Sequence, residues 1–116
     1  MVGDRELKSV DIVNIQTGTT RTLEITALFR FIGALPRMEW LPPEIEKDAQ
    51  GFVLTGFALA ASAHWTARRQ PFLLETSHPG VFAAGDVRSG SVKRVASAVG
   101  EGSMTVQFVH EYLKEL

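Results

Sequence analysis

The run Thr76-Ser77-His78-Pro79-Gly80-Val81-Phe82-Ala83-Ala84-Gly85-Asp86, together with the segment that follows from Val92, reads as a turn, a short strand, a carboxylate and a long helix. Pro79-Gly80 interrupts regular structure, and residues 81–84 are a compact apolar run of the kind that forms a strand covered on both faces. Gly85-Asp86 ends that strand. In open α/β sheets ligands sit at the carboxyl end of a strand next to a helix N-terminus, where an Asp can hydrogen-bond the hydroxyls of a sugar-like chain. Asp86 is therefore the first candidate binding residue.

Downstream, the spacing predicts a helix over residues 91–113. Ser91 offers a side-chain N-cap, and Val92, Val95, Val99, Val106, Val109 and Leu113 recur every three or four residues, so that face is expected to be core. Gly100 and Gly102 each cost about 1 kcal/mol relative to Ala inside a helix, which calls for close approach of another backbone or of a ligand. Lys93 and Arg94 place positive charge at the positive end of the helix dipole. Such a departure from local preference fits an acidic or polar ligand, with solvated surface charge as the plainer alternative.

Upstream, residues 6–32 read as strand. Val10, Ile12, Val13 and Ile15 form one β-rich run, Gln16-Thr17-Gly18-Thr19 a hairpin turn, and Leu23, Ile25, Ala27, Phe29 and Phe31 alternate along a second run. Trp40-Leu41-Pro42-Pro43 cannot continue a regular element, since each Pro removes a donor and restricts the residue before it. A single helical turn is expected over 43–47, a turn at 48–51 and a short strand at 52–55. The alanine-rich stretch 56–70 has no clear state; in it His64 reads as a surface residue rather than a general base, and Trp65 as a loop anchor. His78 reads as a turn residue.

Composition narrows the function. The 116 residues carry a formal net charge of -1 with both signs interspersed, so no basic footprint marks nucleic acid or an anionic membrane. No run is apolar enough to span a bilayer, and Met1-Val2-Gly3-Asp4-Arg5 lacks the apolar core of a signal peptide, which gives an expectation of a cytoplasmic protein. With no cysteine and three scattered histidines, neither a redox dithiol nor a metal site is expected. The glycines lack the GxGxxG spacing of a dinucleotide-phosphate loop.

The pattern Thr-x-x-Pro-Gly-Val-Phe-Ala-Ala-Gly-Asp at 76–86, followed by Ala98-Val99-Gly100-Glu101-Gly102, resembles the C-terminal FAD motif of thioredoxin reductase-like flavoproteins. These are pyridine nucleotide-disulfide oxidoreductases. The resemblance implies an α/β, partial FAD/NAD(P)-binding Rossmann-like fold, with an N-terminal β-hairpin and strand, then short strands and a long C-terminal helix. It makes residues 1–34 the tail of a nicotinamide-nucleotide domain and residues 35–116 the C-terminal part of an FAD domain. Gly85 and Asp86 are then expected at the ribityl chain, and Lys93, Arg94 and Val95 at the pyrimidine end of the isoalloxazine. Many family members have Arg-Gln-Ala where this chain has Lys93-Arg94-Val95, a change that backbone contacts survive and a Gln side-chain contact does not. The implied cofactor is FAD, with NAD(P)H as co-substrate. The expected partner is a second copy of the chain or the missing N-terminal half of the flavoprotein. No catalytic residue is expected within these residues, and the chain alone is expected to be inactive. The rival reading is a non-catalytic interaction or oligomerisation module that keeps the fold without the cofactor.

Overall fold

Branched residues alternating along two short runs give a regular antiparallel sheet. In the computed structural model, which describes residues 2–3 and 5–116, strands β1 (Val2–Gly3), β2 (Leu7–Val13) and β3 (Thr20–Glu24) pair antiparallel in the order β1-β2-β3. Met1 and Asp4, part of the opening five residues considered above, lie outside the described residues. Val10 faces Leu23 across the β2–β3 ladder, and Val10 is buried there. The hairpin loop is closed by the Asn14 amide donating to the Thr19 carbonyl at 2.8 Å and the Gly18 amide to the Asn14 carbonyl at 2.7 Å. Gly18 has φ +72°, the left-handed conformation such a loop needs.

The second run of alternating residues does not continue as strand. After Glu24 one further bond joins it to β2, from the Ile25 amide to the Lys8 carbonyl at 3.1 Å. Beyond it residues 26–33 have no ladder partner among the described residues, and Phe29, Phe31 and Ile32 are exposed. Alternation specifies which face a side chain takes, but a strand exists only where a neighbour accepts its N–H and C=O groups.

The chain divides into two units, Met1–Gly33 and Ala34–Leu116. In the second, loops are organised around Val53. Its amide donates to the Val87 carbonyl and its carbonyl accepts from the Ser89 amide, each at 2.8 Å. Val53 also packs with Ile45 and Ala83, flanked by Leu41 and Val87. Residues 52–55 and 81–84, expected as short strands, make only isolated bridges, Val53 to Lys47 and Arg88, and Phe82 to Glu75. In place of the helical turn expected over 43–47 there is a single hydrogen-bonded turn, closed by the Ile45 amide on the Pro42 carbonyl at 3.1 Å, after which Lys47 already bridges to Val53; the turn expected at 48–51 is present, closed by the Gly51 amide on the Asp48 carbonyl at 3.0 Å. Within 56–70 the chain makes one short 3-10 helix, Gly56–Leu59, with Leu59 buried.

Helix α1 (Val95–Glu115) closes the unit and corrects two sequence expectations. It starts after Arg94, which is extended at φ -138° and ψ 144°, rather than after Ser91. The valine face is also not its packed face. Phe108 stacks on Phe72 at 5.7 Å, the Tyr112 ring meets Phe82 edge-on at 6.5 Å, and Ala98 lies against Gly85. That stripe is about a third of a turn from the one marked by Val95, Val99, Val106 and Leu113, which are all exposed. Gly100 and Gly102 have open space where a Cβ would sit, so neither answers to close packing among the described residues. Within these limits the fold is the expected one: a partial α/β structure with an N-terminal hairpin and a long C-terminal helix.

Candidate functional site

The site begins with a turn. Pro79 and Gly80 occupy its corner, the Val81 amide donates to the His78 carbonyl at 3.1 Å, and Gly80 has φ +84°, as the third position of a type II turn requires. The ring of Tyr112 lies so close that a Cβ on Gly80 would meet it at 2.6 Å. Beneath the turn the fully buried Glu75 carboxylate accepts from the Gly80 amide at 2.9 Å, the Phe72 amide at 3.0 Å, and Arg69 Nη1 and Nη2 at 2.6 and 2.8 Å. Burial works against its ionisation, and these donors outweigh it, holding the carboxyl below the ordinary glutamate range. Arg69 in turn lies over Phe72 at 4.2 Å and bonds Glu115 near the end of α1 at 2.7 Å.

From that anchored turn the chain runs through residues 81–84 to Gly85, which is buried at φ +80°. A short 3-10 helix, Gly85–Val87, follows, closed by the Arg88 amide on the Gly85 carbonyl at 3.1 Å. Asp86 sits exposed in this turn. Glu101 on α1 holds both ends of it: one carboxylate oxygen accepts the Gly85 amide at 2.7 Å and Arg88 Nε at 3.2 Å, the other accepts Arg88 Nη2 at 2.6 Å. The Arg88 hydrogen bond, opposed by partial burial and aided by the Gly85 amide, keeps the Glu101 carboxyl below its ordinary range.

Gly85, Asp86, Lys93, Arg94 and Val95 all line one cavity of about 520 Å³, with Ala84, Ala98 and Val99 completing its wall. Their roles there differ. Lys93 Nζ donates to the Asp86 carbonyl at 2.7 Å, the Arg88 carbonyl at 3.1 Å and Ser91 Oγ at 2.7 Å, and lies 4.2 Å over the Phe52 ring. Its charge thus clamps the loop that leads into the helix. The Arg94 amide is used by the Val92 carbonyl at 2.8 Å. The first amide with an intrahelical bond is that of Ala98, to the Arg94 carbonyl at 3.0 Å, and no side chain caps the helix. Among the described residues the amides of Val95, Ala96 and Ser97 therefore have no acceptor. The residues lining the cavity include the exposed Asp86, Val95 with its free amide, and the apolar Ala84, Ala98 and Val99.

The remaining candidates are placed plainly. His64 Nδ1 lies 3.3 Å from Glu46, a carboxylate that is distant in sequence. The Trp65 indole donates to the Arg69 carbonyl at 2.8 Å, an anchoring role. The carbonyl of His78 closes the Pro79-Gly80 turn. Among the described residues no group of three potential metal ligands converges, and no helix is long and apolar enough to cross a membrane. Glu101 was visible in the sequence only as part of a motif, without a role; the one available sign was an opposite charge at Arg88, and thirteen residues of separation say nothing about contact.

Comparison with known proteins bears on the whole chain. No family model matches it. It is 32% identical over 114 residues to a thioredoxin reductase of Treponema pallidum, an alignment covering 98% of this chain and 32% of that protein. It is 32% identical over 115 residues to the mitochondrial thioredoxin reductase 1 of Arabidopsis thaliana, covering 98% and 27%. The crystal structure of Lactococcus lactis thioredoxin reductase superposes on it with a TM-score of 0.67 at 26% identity, covering 100% of this chain and 33% of that one. The chain thus spans about a third of the length of the curated relatives it matches.

Proposed function

We propose that this chain, thioredoxin reductase-like along its whole length, is the C-terminal part of an FAD-dependent, NAD(P)H-using oxidoreductase and supplies the ribityl and isoalloxazine contacts of the flavin. In this reading residues 1–34 are the tail of the nicotinamide-nucleotide domain and residues 35–116 the C-terminal part of the FAD domain. The observation that carries it is the convergence of Asp86 and Val95, the helix-opening residue whose amide has no acceptor among the described residues, on one cavity.

That donor and acceptor set fits part of a flavin. Asp86 is an acceptor for ribityl hydroxyls, the helix amides are donors for the electron-rich edge of the ring, and Ala98 and Val99 give the apolar wall that a flat ring requires. Bound there, the flavin would supply the hydride and electron chemistry. The chain's own contribution is to bind and orient it: Gly85 lets the backbone turn, Asp86 accepts, and Lys93 and Arg94 lead the chain into the helix start, with Lys93 fastening the loop. The chain holds no thiol, and Lys93 at the cavity is engaged by two carbonyls and Ser91 Oγ, so transfer to the final acceptor is assigned to other parts of the enzyme.

The exposed stripe of Val95, Val99, Val106 and Leu113 supports a partner as well, either the N-terminal half of the flavoprotein or a second copy of the chain. It also gives the rival reading, a non-catalytic oligomerisation module, its one specific support. Absorbance of the purified protein together with its natural upstream sequence separates the two: flavin bands are expected, and a colourless preparation overturns the flavin reading.

A further inference from the structure

We propose that Glu101 is a positioning residue of the flavin site, fixing Asp86 relative to the amides that open α1; the assignment rests on the flavin reading of that cavity. Gly85 is at once the residue that permits the turn and the loosest link in it, because a residue without Cβ is free to leave a left-handed conformation. Something outside the turn must hold it. The Glu101 carboxylate does so from both ends, taking the Gly85 amide at 2.7 Å and the Arg88 guanidinium at 2.6 and 3.2 Å, with Asp86 between them.

Glu101 belongs to the same helix whose first residue, Val95, lines the cavity with its amide unused, so a single rigid element carries that donor and grips the turn that carries the acceptor. The carboxylate is suited to this by chemistry as well as by reach. It is acceptor-only and meets three N–H groups, whereas a Gln would present its own N–H₂ to either Gly85 or Arg88. Charged groups acting on it are Arg88 and Lys93, both cationic. Its backbone carbonyl is bonded separately by Thr105 Oγ1 at 2.9 Å, so changing the side chain leaves that helical contact in place.

The test uses the complete flavoprotein, in which these residues are joined to their natural upstream sequence, and its Glu101→Gln variant, with amide exchange followed by NMR and FAD binding followed by flavin fluorescence. In the variant the Gly85 amide should exchange at least roughly tenfold faster, as expected for loss of a charged hydrogen-bond partner. Amides around Phe108 and Tyr112 should stay within twofold, and FAD affinity should fall by about tenfold. Unchanged Gly85 exchange overturns the proposal. Released amides with FAD affinity unchanged also overturn it, since the tie would then serve stability alone. Failure of the flavin reading has its own signature, an absence of FAD binding by the unsubstituted flavoprotein while Gly85 is still released in the variant, and this removes Glu101's assignment to a flavin. Should Glu101→Gln fail to fold, Arg88→Lys keeps the Gly85 bond and loosens only the other side; a smaller rise in Gly85 exchange and a smaller loss of affinity are expected, and no change in either overturns the proposal.

Discussion

The ammonium of Lys93 lies 2.7 Å from the backbone carbonyl of Asp86, so the cation at the head of α1 is bonded to the loop that carries the candidate ligand residue. This accounts for a positive charge at the positive end of a helix dipole: the charge is drawn back onto two carbonyls and Ser91 Oγ rather than left facing the free amides. It also gives Lys93 and Asp86 different jobs. In the complete flavoprotein, Asp86→Ala should weaken flavin binding by roughly 1 to 3 kcal/mol, the usual range for a lost charged hydrogen-bond partner. Lys93→Met should weaken it less and leave its salt dependence unchanged. Isothermal titration of FAD at two ionic strengths checks both; a salt dependence that disappears in Lys93→Met would mean that the ammonium acts on the ligand.

Val95→Pro should shift the flavin reduction potential while sparing the helix. Val95 is the first helical residue, its amide has no acceptor among the described residues, and Arg94 before it is already extended, as a residue preceding proline must be. Removing one donor of about 0.5 to 1 kcal/mol from the anionic reduced flavin lowers a two-electron potential by roughly 10 to 20 mV. The same change at Arg94 would be less informative, because that amide already serves the Val92 carbonyl. Spectroelectrochemistry decides the matter, with an unaltered potential showing that the Val95 amide does not face the ring.

Acid should loosen the loop around Glu75. Its carboxyl is held below the ordinary glutamate value of about 4.3, so the stability it contributes is complete above that pH and is lost as pH falls through the lower folded-state value. The thermal midpoint should therefore be insensitive to this group from neutrality down to about pH 5 and decline below about pH 4. Glu75→Leu should cost about 3 kcal/mol at neutral pH, the low end for breaking a buried pair, since Arg69 keeps Glu115 and some contact with water. Denaturation of the variant at pH 7 and of the parent chain across pH 3 to 7 provides the check; a midpoint that rises on acidification would contradict the sign.

The 116 residues by themselves should self-associate and be inert toward NAD(P)H. Val95 is 82% exposed and Val99 65%, on a helix whose other side is packed, and Phe31 is 93% exposed in the first unit. Apolar surface of this kind is normally covered in a finished assembly. Light scattering at micromolar concentration should give a mass above that of one chain, and a spectrophotometric assay should show no NAD(P)H oxidation. A monomer, or measurable turnover, would relocate the functional unit.

Several features were legible because they depend on local chemistry. Asn14 and Gly18 close the hairpin where turn residues stand between two β-rich runs, Pro79-Gly80 makes the turn that its φ preferences dictate, and the 3.6-residue spacing after Val92 does form a helix. The five residues singled out at 85, 86, 93, 94 and 95 do meet at one cavity, because a turn and the helix that follows it are never far apart along the chain.

What the sequence determined by itself, then, was the order of turns, the hairpin, the helix and the motif that links them to a family, since each rests on conformational preferences within a few residues. Which face of α1 is packed was decided only in three dimensions: periodicity marked the valines, but Phe72 and Phe82 offered aromatic partners to Phe108 and Tyr112, and Gly85 and Arg88 offered donors to Glu101. The strand expected to run on to residue 32 ends at Glu24 for the same reason, as alternation chooses faces but cannot supply a neighbouring strand. Glu101, thirteen residues from Arg88, gained its role from the fold alone, because a charge pair is set by distance in space and sequence separation leaves that distance open.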